Sequence, residues 1–118
     1  MADSTQILDL ARSHFDKQRG QEIEIPEWGV DGEPLIAKFD PPTLRTRQVI
    51  QSRAGKSESR QMALTVQLCL RENTDTAALI FKDDAVTLAT LEGQVDPKVM
   101  ARIAQKILGL STDDSLGN

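Results

Sequence analysis

The 118-residue sequence predicts an α+β fold, a small β-hairpin or sheet packed on several α-helices within a single domain. Three observations predict it. Glu22-Ile23-Glu24-Ile25 alternates with period two, as a strand with one buried face does. Val99, Met100, Ile103, Ala104, Ile107 and Leu108 recur at helical spacing between a capping Asp96-Pro97 and a terminating Gly109. The chain is long enough to bury one core and too short for two.

Taken in order, Asp3 or Ser4 caps a first helix whose apolar stripe is Ile7, Leu8, Ala11 and Phe15, with Gly20 as its stop. Asp9, Arg12, Asp16 and Lys17 form its solvated face. The strand over 22–25 is expected to end at Pro26, because proline donates nothing to a ladder. Gly29 to Gly32 supply turn residues, and Pro34 to Phe39 resume an extended pattern, which makes a hairpin. A hairpin alone is marginal in water, so it requires helices or a third strand against it. Asp40, ahead of Pro41 and Pro42, is the expected cap of a second helix through Leu44, Val49 and Ile50 to Ser52. Ser52 to Ser59 reads as a mobile loop, and Arg60 to Arg71 as a third helix. Ala77 to Phe81 is too short to assign. Asp83 or Asp84 caps a short helix closed by Gly93, and the helix from Pro97 is the last. The organisation expected is an N-terminal helix over 1–20, a core over 21–110 and an acidic tail over 111–118.

Aromatics are few, with three Phe, one Trp and no Tyr, so the core must be aliphatic. No apolar run approaches the roughly 20 residues of a membrane span. The segment Met1 to Leu10 does not read as a secretory signal. A single cysteine allows no internal disulfide, which fits a reducing, cytoplasmic setting.

Candidate chemistry is thin. His14 lacks a second ligand or an orienting carboxylate nearby in the pattern, so no metal site is expected. Cys69, among Val66, Leu68 and Leu70, reads as a small core residue. Gly55-Lys56-Ser57 matches the end of a phosphate-binding loop, but Ile50 stands where its first glycine belongs. The carboxylates at 22, 24 and 27, at 83–84 and at 113–114 read as surface or as caps. No catalytic residue and no cofactor is expected.

Binding is better represented. Residues 41–62 hold five cations (Arg45, Arg47, Arg53, Lys56 and Arg60) against Glu58, within a chain of net charge −4. Without interleaved aromatics this run argues weakly for nucleic acid and equally for an acidic protein partner. Trp28, in Pro26-Glu27-Trp28-Gly29, is either a lid on the core or a binding anchor. The candidate partner-binding residues are therefore Trp28, Arg45, Arg47 and, if the last helix is only partly covered, Met100, Ile103 and Ile107. Such a half-covered stripe would serve a client helix or self-association.

A strand running into Ile25-Pro26-Glu27-Trp28-Gly29, a second strand, an apolar helix over 63–70, Leu79-Ile80-Phe81 before Asp83-Asp84 and a terminal helix together resemble the tail assembly chaperones of long-tailed, non-contractile phages and prophages. The likeness covers most of residues 21–110, and its most specific part is Pro-Glu-Trp-Gly. It implies a non-catalytic protein of the host-cell cytoplasm, absent from the finished virion, that coats the tape measure protein and helps recruit tail tube protein subunits. In many such chaperones a programmed frameshift gives a longer second product, which would extend the chain beyond 111–118. A structural tail or head–tail connector subunit and a small nucleic-acid-binding regulator remain the alternatives.

Overall fold

The computed structural model describes residues 3–109; the expected tail over 111–118 lies outside the described residues. Five helices and a three-stranded antiparallel sheet follow in the order α1 (Ser4–Asp16), β1 (Gln21–Val30), β2 (Glu33–Phe39), α2 (Leu44–Ala54), α3 (Glu58–Cys69), β3 (Leu70–Glu72), α4 (Ala85–Gly93) and α5 (Pro97–Leu108). This is the α+β domain expected, with β2 central in the sheet and β1 on an edge.

The hairpin closes through Asp31 and Gly32, both at positive φ (56° and 79°), with Val30 paired to Glu33. A two-residue turn of this hand matches the twist of the strands it joins. β1 does not end at Pro26, as expected, but continues to Val30. Its ladder runs from Gln21 opposite Phe39 to Ile25 opposite Leu35, then resumes only at Val30. Pro26, Glu27, Trp28 and Gly29 thus stand against Pro34 alone, as a bulge on an edge strand. There a missing N–H leaves no neighbouring strand unserved.

The third strand answers the hairpin's need for support. The helix expected to Arg71 stops at Cys69, and Leu70 to Glu72 pair with Phe39 to Ala37. Leu70 is fully buried at this junction, and extending it puts its side chain under the sheet. The segment after β3, left unassigned by its sequence, is irregular; a bridge between Arg71 and Leu79 holds it to β3, and the Arg71 guanidinium donates to the Ala77 carbonyl at 3.0 Å. Buried Gln67 of α3 pins its far end, donating from Nε2 to the carbonyls of Lys82 (2.6 Å) and Asp84 (3.1 Å).

Asp40 does not cap α2. Thr43 does, accepting from the Thr46 N–H, because the two prolines push the helix start downstream. Asp40 instead accepts from the Gly20 N–H at 2.7 Å and lies beside Arg19 and Arg71. The loop expected over 52–59 shrinks to Gly55-Lys56-Ser57. α2 runs on to Ala54, and Ser57 caps α3 by accepting from the Arg60 N–H. The result is a tight helical hairpin. α4 and α5 form as their caps dictate: Asp84 accepts from Thr87, Asp96 from Lys98, Pro97 opens α5, and Gly109 closes it in the left-handed region.

The core lies between the inner face of the sheet (Ile23, Ile25, Ala37, Phe39) and α3 and α5. Met100, Ile103 and Ile107, named above as candidate binding residues, are 3%, 0% and 1% exposed. They are corrected here to core, since α3 and the sheet cover the α5 stripe from Val99 to Ile107 and leave only Leu108 half-buried. The opposite holds for α1, whose stripe stands in solvent: Ile7, Leu8 and Leu10 are 55%, 62% and 62% exposed, and the helix buries no residue.

Candidate partner-binding surface

The bulge in β1 sets the position of Trp28. Four residues bowed from the ladder carry the indole over Phe81, where the rings meet edge to face at 5.9 Å and 88°. That arrangement suits the ring quadrupoles. Trp28 is half-buried, packed against the core from its rim, so the lid role holds. It is also one wall of an apolar groove of about 320 Å³ lined by Leu35, Ile80, Phe81, Leu91 and Val95, with Thr87 and Thr90 of α4 beside them.

Glu27 anchors the bulge. Its two carboxylate oxygens accept from both terminal nitrogens of Arg102 on α5, at 2.5 and 2.8 Å. This two-toothed contact holds the Glu27 carboxyl down at about 2 and raises Arg102. Gly29 permits the bow: a Cβ there would lie 1.8 Å from the Glu33 carbonyl oxygen. Glu27, Trp28 and Gly29 therefore each have a mechanical part in presenting the groove.

α1 offers the second apolar surface. At 100° per residue, Ile7, Leu8, Leu10, Ala11, His14 and Phe15 fall within an arc of about 160°. Only Phe15, at the helix base, is half-buried, in a recess with Pro41, Pro42 and Leu68.

The basic run is divided by the fold. Arg53 pairs with Asp83 at 3.0 Å and Arg60 with Glu92 at 2.9 Å, which ties α2 and α3 to the two ends of α4. Arg45 and Arg47 are exposed on α2, and among the described residues no carboxylate pairs with them or with Lys56. Exposed Leu44 and Val49 stand on the same helix.

No family model, curated protein or solved structure matches the chain.

Cys69 is buried, and burial pushes its thiol up to about 11, so almost none is thiolate at neutral pH. Among the described residues no cluster of His, Cys, Asp and Glu is arranged to hold a metal ion, and no helix is long and apolar enough to cross a membrane. Trp28, Arg45 and Arg47 are brought to the surface but not to one site. The wheel of α1 shows its apolar stripe in the sequence, but not that nothing packs on it. The groove joins residues from four segments, and nothing local in the sequence marks them as neighbours.

Proposed function

We propose that this chain is a non-catalytic tail assembly chaperone, which binds a phage tape measure protein and helps recruit tail tube subunits in the cytoplasm of the host cell. One observation carries the reading: the fold leaves two apolar surfaces open, the outer face of α1 and the groove beside Trp28. The run that gives the resemblance its specificity, Pro26 to Gly29, is the bulge that carries Trp28 into the wall of that groove.

The physics of the task suits these surfaces. A long helical client exposes apolar side chains along its length, and each large aliphatic side chain covered gains about 1.5–3 kcal/mol. Small separate contacts give a hold weak enough to be released when the tube displaces it. Arg45 and Arg47 supply unpaired positive charge that steers an acidic client and sets its orientation more than its affinity.

The test is co-expression with a phage tape measure protein. The expected result is a soluble complex that co-purifies, with the client insoluble when expressed alone. A client equally soluble without this chain, or this chain found as a stoichiometric part of mature virions, would overturn the reading, the second in favour of a structural tail subunit.

A further inference from the structure

We infer that the outer edge of β1, over residues 21–25, takes an added strand from a partner whose extended segment carries Lys or Arg at alternate positions. The inference uses neither of the two apolar surfaces described above and does not depend on the chaperone reading.

Of the two edges of the sheet, β3 is already served. The Glu72 N–H donates to the Ala78 carbonyl at 2.8 Å, and the Ile80 N–H to the Leu70 carbonyl at 3.2 Å. β1 forms the other edge, and among the described residues no segment pairs with its outer side.

The alternation of an antiparallel ladder shows which main-chain groups stand open there. Leu70 and Glu72 turn these groups away from β2, so those of Arg71 face β2 and meet Lys38. Ala37 and Phe39 then face β1, where they meet Ile23 and Gln21. The N–H and C=O groups of Glu22 and Glu24 are left pointing outward. These four groups are what an extended segment needs to join a sheet by main-chain hydrogen bonds. The open stretch is bounded at both ends. Gly20 before it donates to Asp40 at 2.7 Å, and Pro26 after it has no N–H to offer.

The side chains select the occupant. Ile23 and Ile25 turn into the core, whereas Glu22 and Glu24 stand exposed on the outer face. Among the described residues neither carboxylate is engaged in an ion pair. In an antiparallel addition, the open residues of one strand lie opposite those of the other. A second copy would thus set Glu against Glu in every register that bonds these groups to one another, and like charges directly opposite are destabilising. Charge and proline on an edge turn away identical strands in this manner. They do not turn away a strand of opposite charge. Two cations two residues apart meet both carboxylates at once, while the main chains bond.

Titration of the isotope-labelled full chain with a blocked seven-residue peptide alternating Val and Lys, followed by amide shifts and amide exchange, tests this. The peptide should bind with a Kd of about 0.1–1 mM. At saturation it should slow exchange of the Glu22 and Glu24 amides at least about tenfold, while Ile23 and Ile25, already bonded to β2, change little. Glu22→Lys/Glu24→Lys alters two exposed side chains and should keep the native circular dichroism spectrum. This variant should weaken the Lys peptide at least about tenfold and bind the matching Val–Glu peptide in its place. No binding to the wild type at about 5 mM peptide would overturn the proposal. So would binding that leaves the Glu22 and Glu24 amides exchanging as before, since charge alone would then hold the peptide. Protection of these two amides that rises with the concentration of the chain, with no peptide present, would make a second copy the occupant and overturn the choice of partner.

Discussion

At Gly29 the requirement is steric. A methyl group there meets the Glu33 carbonyl 1.8 Å away, and neither backbone can withdraw without opening the hairpin. Gly29→Ala should therefore cost about 2 kcal/mol or more, read as a lower urea midpoint with unchanged slope. It should also redden Trp28 emission in the folded state, because the bulge carries the indole. Beside it, Glu27 makes an acid-dependent contribution. Its carboxyl is held near 2 against 4.5 when free, so its stabilising effect is whole above pH 4.5 and fades as pH falls towards 2. Glu27→Gln should flatten that part of the stability–pH curve and leave the curve's shape at neutral pH unchanged. Single residues were unevenly legible. The Pro-Glu-Trp-Gly run stood out, but a bulge depends on which strand is at the edge, and that is a property of the sheet. Reading Pro26 as a terminator assumed a partner on both sides of β1.

Helices α1 and α5 present the same kind of stripe in sequence and opposite fates in the fold. Both have an Asp cap and apolar residues at helical spacing. Only α5 finds α3 and the sheet to cover it, so its Met100, Ile103 and Ile107 are core. Ile103→Ala should cost about 2–5 kcal/mol through lost contacts and the cavity left behind. Ile7→Ser should change stability by less than about 0.5 kcal/mol, because Ile7 is 55% exposed. Equal losses at the two positions would mean that α1 is packed after all. Periodicity identifies a face and not its partner, which is why α1 and α5 were readable as helices with Asp caps while the assignment of their stripes to surface and core was not. The same limit explains Asp40: a good cap by type, it was drawn to Gly20, Arg19 and Arg71 from segments distant in sequence.

On the scale of the whole chain, the described residues divide into a core joined by long-range contacts and a helix attached at one end. The core is closed by ties between distant segments: Arg102 to Glu27, Arg53 to Asp83, Arg60 to Glu92, and Gln67 to the carbonyls of Lys82 and Asp84. α1 has its Asp3 cap, local ion pairs of Asp9 with Arg12 and of Asp16 with Arg19, and the half-buried Phe15. A 13-residue helix with so little support is marginal, since isolated helices shorter than about 12–15 residues barely form in water. Hydrogen exchange should then show two tiers. Amides of α3 and α5 should exchange only through global unfolding, at rates that fall with added stability. Amides of α1 should exchange by local opening, little slowed relative to an unstructured peptide when the protein is dilute. Protection of α1 equal to that of α5 at every concentration would mean that the helix belongs to the monomer's cooperative unit, and the open apolar face on which partner binding rests would not exist in solution.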